Sequence, residues 1–394
     1  MIILMRIIKY LLMVPLNLFF FISFMIPKNE RLWLISAWYG EKFLDNPKYI
    51  YKELLHGDYD VDVYWVVKDK SCIPFFSENE YPVIWAYSLK GIWLQLRAKN
   101  VIFSHSLRSE FLPCFIASQT KKIQTWHGVP IKKIGYDDKN ANLDSLIKKI
   151  IIIILPFLRE EYDLIIASSK EDKSIYHTAF RTPLKKIIVT GYPRNDAIYK
   201  SLIEQNFKIT QTKKIIYMPT LRGGIGDFFP YLSDHEFDFV FLDKMLDKIN
   251  AEFYIKLHPV QRFKDYDLEL MKQTKNIYPV FNNDDIYEVI AYYDILITDY
   301  SGIYFDFLIT GKPIVMAPID LKSYTSTDRE IYYNYDEICP SEPCRDWGEV
   351  LRKLELIVTN PMIDERYKSM QRRFHSFFDG DSSKRVINEI KNIN

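Results

Sequence analysis

The chain has 394 residues, more than one hydrophobic core normally serves, so two domains are expected. Its formal net charge is +1 and 26% of its residues are charged, which excludes both a disordered chain and a protein that binds nucleic acid through bulk charge. Four cysteines, at 72, 114, 339 and 344, form no C-x-x-C pair and have no histidine at ligand spacing, which argues against a zinc site or a disulfide framework.

The first element is the apolar run "YLLMVPLNLFFFISFMI" (10–26), uncharged over 17 residues and flanked by Arg6 and Lys9 before it and Lys28 and Arg31 after it. A spanning helix wants about 20 apolar residues, and Pro15 and Asn17 interrupt this run. No small-x-small cleavage pattern follows, so a removed signal peptide is disfavoured. Three readings stand: a monotopic or re-entrant anchor, a true span, and a buried helix. Residues 1–30 are therefore expected to form an N-terminal hydrophobic membrane segment.

From residue 31 short apolar runs alternate with longer amphipathic ones. The expected strands of the first half are "RLWLIS" (31–36), "VDVYWVV" (61–67), "NVIFSH" (100–105), "KIQTW" (122–126), "DLIIAS" (163–168) and "KIIVTG" (186–191). Those of the second half are "KIIYMP" (214–219), "EFYIKLH" (252–258), "IYPV" (277–280), "DILITD" (294–299) and "PIVMA" (313–317). They are rich in Ile and Val and nearly continuous in hydrophobicity, as parallel strands buried on both faces are. The intervals leave room for crossover helices. The pattern predicts an α/β fold of two doubly wound domains, 31–205 and 206–394, with the break in the polar stretch "SLIEQNFKITQTKK" (201–214). One further apolar run, "LIKKIIIIILPFL" (146–158), is too short to span a bilayer. It reads either as a core helix or as an interfacial contact helped by Lys148 and Lys149.

Ligands of open α/β sheets bind beyond the carboxyl ends of the strands, so polar residues at strand ends are the candidates. They recur at Ser104 and His105, His127, Ser168 and Ser169, Arg194 and Asn195, Arg222, His258, and Asp299 and Ser301. "DILITDYSGIYFDF" (294–307) ends a strand at Asp299 and opens a helix at Ser301 and Gly302. Backbone N–H groups there suit a phosphate, and capping by Asp299 or Ser301 is the plainer alternative, one that leaves Asp306 unexplained. "YIKLHPVQRF" (254–263) puts His258 at a strand tip stopped by Pro259, with Arg262 behind it. Either side chain could hold a phosphate, and a structural His258 is the alternative. "YMPTLRGG" (217–224) offers Thr220 and Arg222, and Arg194 in "VTGYPRND" (189–196) either faces a ligand or pairs with Asp196. His127, in "TWHGVPIKK", lacks metal-ligating partners at usable spacing, while an imidazole there suits a general base near neutral pH. Residues 119–150 hold seven lysines and three aspartates, Lys132 and Lys133 among them, a local excess that could attract an anionic acceptor or a lipid surface.

Nine stretches together resemble the CDP-glycerol glycerophosphotransferase family, which builds teichoic-acid-like polymers. They are "WYGEKFLDNPKYIYKEL" (38–54), "TWHGVPIKKIGYD" (125–137), "ASSKED" (167–172), "VTGYPRND" (189–196), "YMPTLR" (217–222), "IKLHP" (255–259), "LITDYSGIYFDF" (296–307), "KPIV" (312–315) and "FFDGDSSKRV" (377–386), in family order. The resemblance implies a GT-B fold, two Rossmann-like domains facing across a cleft. It implies an acceptor domain before residue 206 and a CDP-donor domain after it. It implies CDP-glycerol or another CDP-polyol as donor, a lipid-linked or polymer polyol-phosphate acceptor, no cofactor and no required metal. It places the enzyme at the cytosolic face of a bacterial cell membrane, peripheral or anchored. By the same resemblance His127 and His258 are the catalytic pair. Arg222, His258, Asp299, Ser301 and Asp306 form the donor region, to which Gly302 and Arg262 are added from the residue reading, and that reading also puts Lys132, Lys133 and Arg194 on the acceptor or membrane side. Leu221 and Gly302 stand where the family often has Trp and Ser. The chain shows no counterpart of the large N-terminal extension of some polymerising members, which leans the expectation towards a priming or short-chain transferase. A GT-B glycosyltransferase using a nucleotide sugar is the alternative function.

Overall fold

A computed structural model describes residues 8, 10–117, 119–141, 143, 145–205, 212–224, 226–233, 237–258, 260–281, 285–321, 330–361 and 363–393. Pro259 and residues 206–211 of the expected inter-domain stretch lie outside them. The chain divides into two compact units. One is Met1–His127, Ile134–Asp196 and Asp379–Asn394; the other is Gly128–Lys133 and Ala197–Phe378.

The first unit is built on seven strands: β1 (Asn29–Ile35), β2 (Asp62–Val67), β3 (Val83–Trp85), β4 (Ala98–Phe103), β5 (Lys121–Gln124), β6 (Leu164–Ala167) and β7 (Ile187–Val189). Their order is β3-β2-β1-β4-β5-β6-β7, and every pairing is parallel. The second unit has β8 (Lys213–Met218), β9 (Ala251–Ile255), β10 (Ile277–Pro279), β11 (Ile295–Thr298) and β12 (Ile314–Met316), in the order β10-β9-β8-β11-β12, again all parallel. Each of the eleven expected strands is present. The twelfth, β3, is not among the expected strands; its three residues follow Pro82 at the edge of the sheet.

Both orders wind outward from a first strand and then reverse. The reversal lies between β1 and β4 in one sheet and between β8 and β11 in the other. At such a switch point the loops at the carboxyl ends part, which opens a crevice for a ligand. The strands are buried on both faces: β6, β11 and β12 have no exposed residue, and Leu34, Ile35, Val101, Ile102 and Phe103 are fully covered. That burial is the reason their sequences read as continuous rather than alternating apolar runs.

The expectation of an N-terminal hydrophobic membrane segment is corrected. Among the described residues no helix is long and apolar enough to cross a membrane. The run 10–26 breaks at Val14 and Pro15, and its second helix, Leu16–Ser23, has eight residues, about 12 Å of rise. Leu16 and Phe20 pack against the buried cluster of Cys114, Leu155 and Phe157, so the segment is tied to the first unit by side-chain contact. The run 146–158 is not a core helix either. Its helix, Leu146–Ile154, is capped by Ser145 and has no buried residue, and Leu146, Ile147 and Ile153 are among the most exposed apolar side chains of the chain.

The last helix, Ser382–Asn392, belongs to the first unit. Buried Asp196 accepts from the Ser382 and Ser383 N–H groups at 2.9 and 2.7 Å and from Ser383 Oγ at 2.7 Å. A carboxylate on the first N–H groups of a helix satisfies donors that have no partner within it.

Candidate active site

In the first unit the candidate residues gather at the ends of β1, β4 and β5. Phe103 ends β4, and the next residues, Ser104 and His105, turn back onto the short helix Leu107–Glu110. Gln124 ends β5, and Trp126 follows with φ +51°. Trp38 and Tyr39, after β1, have φ +48° and +63°. For bulky residues this left-handed region is costly and persists only where surrounding contacts enforce it.

Those contacts centre on His127. Its ring lies between two others: Trp126, with centroids 4.1 Å apart and planes at 28°, and His105, at 4.5 Å and 15°. His127 Nδ1 is 3.3 Å from the Ser104 carbonyl oxygen. A carbonyl only accepts, so Nδ1 carries the proton and Nε2 the lone pair. Burial, and after it the neighbouring His105, lowers the His127 pKa from 6.5 to about 4. The imidazole is neutral at physiological pH, as a proton acceptor must be.

The loop carrying His127 is braced from two other elements. Asp45, at the start of the helix Asp45–His56, accepts from Arg194 Nη1 at 2.9 Å and Trp38 Nε1 at 3.3 Å. Arg194 Nη1 also donates to the His127 carbonyl at 2.7 Å. Asn46 Nδ2 donates to the carbonyls of Thr125 and Trp126 at 3.1 and 3.0 Å. Arg194 is 3% exposed, so it is a buried strut whose ion pair is with Asp45, and Asp196 has its own partners in the last helix. Lys132 and Lys133, past the loop, belong to the second unit. Lys132 forms an antiparallel bridge with Ile331, and Lys133 N donates to the Glu330 carbonyl at 2.8 Å while its Nζ pairs with the Glu330 carboxylate at 2.5 Å.

In the second unit the candidates meet at the ends of β8 and β11. Arg222 is the hub. Its Nη2 donates to Asp299 Oδ2 at 2.7 Å, its Nε to Asp320 Oδ2 at 2.7 Å, and its Nη1 to the Thr220 carbonyl at 2.8 Å. Asp299 Oδ1 accepts in turn from Thr220 N at 2.8 Å, Thr220 Oγ1 at 2.6 Å and Tyr300 N at 2.6 Å. Burial by itself would lower the guanidinium pKa, but Asp299 and Asp320 outweigh it and hold it raised. One guanidinium between two carboxylates leaves no surplus positive charge.

His258 follows β9 and is half-buried. Its Nδ1 accepts from Val260 N–H at 3.4 Å. A backbone N–H only donates, so here the proton sits on Nε2, which becomes a donor. Arg262 is exposed and stacks on Phe228 with its guanidinium carbon 5.2 Å from the ring centre. Phe228, Arg222, Gly223, Gly226, Asp227 and Pro230 line a cavity of about 420 Å³. Ser301 Oγ is 3.5 Å from Ile303 N, at the start of the helix Ile303–Phe307. That helix has five residues, and buried Asp306 in its first turn accepts from Tyr287 OH at 3.2 Å. Gly302 has φ −62°, and a Cβ there would sit 3.5 Å from the Val129 carbonyl, an ordinary contact. The family's frequent Ser would therefore fit, and the departure needs no backbone change.

The structure thus joins Arg222 to Asp299 and Arg194 to His127, and adds partners the sequence reading did not assign. His105 was visible as a strand-end polar residue. Asp45 and Asn46 lie inside the family-like stretch 38–54, where the residue pattern assigns them no role. Glu110 and Asp320 gain theirs from tertiary contact, and Thr220, a candidate beside Arg222, bonds to Asp299. Among the described residues no three His, Cys, Asp or Glu side chains gather as metal ligands would.

The chain is similar in sequence to known proteins of teichoic acid synthesis. A teichoic acid poly(glycerol phosphate) polymerase of Bacillus spizizenii is 28% identical over 93% of this chain and 93% of its own length. A teichoic acid glycerol-phosphate transferase of Staphylococcus aureus is 28% identical over 92% of this chain and 93% of its own. The structure of the wall teichoic acid polymerase TagF superposes with a TM-score of 0.70 at 20% identity, covering 99% of this chain and 96% of that one, so the fold is the GT-B-like α/β fold of that protein. The family model for CDP-glycerol:poly(glycerophosphate) glycerophosphotransferases matches residues 18–392, and the chain belongs to that family.

Proposed function

We propose that this chain transfers glycerol phosphate from CDP-glycerol to a hydroxyl of a teichoic-acid-type acceptor. The acceptor oxygen attacks the phosphorus bearing glycerol, its proton passes to His127 Nε2, and the bond from that phosphorus to the bridging oxygen breaks so that CMP leaves with the electron pair. The observation that carries this reading is the placing of His127, stacked between Trp126 and His105 after β5 with Nδ1 on the Ser104 carbonyl and its lone pair on Nε2. On the donor side, His258 Nε2–H, Arg262, Ser301 and the Gly302 N–H contact the diphosphate and offset its growing charge. Arg222, Asp299 and Asp306 hold the strand ends and helix start that present them. The reading includes no metal, and turnover should persist in EDTA. His127→Ala should lower CMP release by about 10²–10⁴-fold while CDP-glycerol still binds, and a near-native rate in that variant would overturn the assignment.

A lipid-linked acceptor requires the enzyme at a membrane surface, and we propose peripheral association at the cytosolic face of a bacterial membrane. The exposed Leu146, Ile147, Ile150, Ile153 and Ile154 on a helix that also carries Lys148 and Lys149 support this. The paired variant Ile147→Glu with Ile153→Glu should lose co-sedimentation with anionic vesicles and keep CMP release on a soluble acceptor. Unchanged vesicle binding would sink it.

A further inference from the structure

His105 has no part in the transfer as written, yet it is held as tightly as His127. Its neighbour Glu110 is completely buried. Glu110 Oε1 accepts from His105 N at 2.9 Å and from Ser104 Oγ at 3.0 Å, Oε2 accepts from Ser104 N at 3.0 Å, and His105 Nδ1 lies 3.3 Å from Oε1. Buried carboxylates are retained where several donors meet them. Ser104 Oγ gives its proton to Glu110, so it accepts from His105 Nδ1 at 2.9 Å. Both imidazoles therefore hang from Ser104 by Nδ1, one on its hydroxyl and the other on its carbonyl. Their planes differ by only 15° at 4.5 Å. Tyr39 and Trp38 also pack against His105, at 4.9 and 5.0 Å.

We infer that His105, clamped by Glu110, is a positioning residue for His127: it fixes the plane of the base and, because two stacked imidazoles resist carrying two protons, adds to the burial that opposes protonation of that base. This rests on the reading of His127 as general base. Like charges at this separation oppose each other, so a proton on one ring disfavours a proton on the other. The other charged groups facing His127 come from different elements: Asp45 favours its proton, while Arg194, like His105, disfavours it. Glu110 reaches His127 only through His105 and Ser104. Removing His105 leaves burial as the main force on His127, so its proton affinity should rise only part of the way to the ordinary value.

The test is a titration of the full chain with ¹⁵N-labelled histidine, read beside the pH profile of CMP release. In the native protein the two ring signals should titrate as a coupled pair. His105→Gln should raise the His127 midpoint by about half a unit or more, move the acid limb of kcat/KM with it and lower kcat, with KM for CDP-glycerol unchanged. His105→Arg, with a fixed charge, should lower the midpoint instead. Glu110→Gln, which keeps the shape of the clamp and removes its charge, should shift it in the same direction as His105→Gln and by less. Independent titration in the native protein, or the same His127 midpoint in native, Gln and Arg forms, would overturn the inference. A midpoint that moves while the acid limb of kcat/KM stays put would support the coupling and overturn the base assignment, so the two failures are distinguishable.

Discussion

His127 and His258 are both histidines at strand ends, and their surroundings give them opposite tautomers. His127 Nδ1 meets a carbonyl, which forces its proton onto Nδ1 and leaves Nε2 able to accept. His258 Nδ1 meets a backbone N–H, which forces the proton onto Nε2 and makes that atom a donor. The first suits a base and the second suits a partner for phosphate oxygen. The same residue type therefore takes two tautomers, each chosen by one backbone group two or more residues away. The arginines divide in a similar way. Arg222 is buried and neutralised by two carboxylates, whereas Arg262 is exposed and stacked on a ring beside a cavity.

Glutamine at each histidine tests the first contrast most directly, since its amide can replace a donor and cannot replace a base. His127→Gln should cost about 10²–10⁴-fold in kcat. Equal losses at both positions would erase the distinction between them. Next in size is Arg222→Ala, which strands Asp299 and Asp320 in the interior and should cost about 3–5 kcal/mol of stability, read as a lower denaturant midpoint. A folded Arg222→Ala protein of native stability that fails only in donor binding would return Arg222 to the diphosphate. His258→Gln should keep CDP-glycerol affinity within about tenfold, and His258→Ala should lose about 1.5–3 kcal/mol of it, by titration calorimetry. Arg262→Ala should leave stability within about 0.5 kcal/mol and weaken only donor affinity. The smallest effect is in pH dependence. The His127 pKa is lowered to about 4, so kcat/KM should hold from neutral pH down to that region and fall below it, as the base takes up its proton. An acid limb near 6.5 would mean that burial does not act on the ring that does the chemistry.

Much of the scaffold was legible from local pattern. Eleven strands announced themselves because parallel strands buried on both faces must be apolar throughout, and β3, an edge strand just after Pro82 with only Ile84 buried, did not. The N-terminal run misled for a related reason. Apolar composition reports that a segment avoids water, without saying whether lipid or protein covers it, and the short helix Leu16–Ser23 is tied to Phe157 and its neighbours. Arg194 was readable as a candidate and not as a buried strut, because its partner Asp45 is 149 positions away in the chain.

What the sequence determined by itself was the succession of strands and helices, the family and the histidines placed at strand ends, since each depends on neighbours close along the chain. Only the tertiary structure decided which nitrogen of each ring carries the proton, that Asp299 and Asp320 take up the charge of Arg222, and that the final helix returns to Asp196. Those outcomes depend on groups that meet through folding, and hydrogen bonds and charges act over a few ångströms of space whatever the separation in sequence.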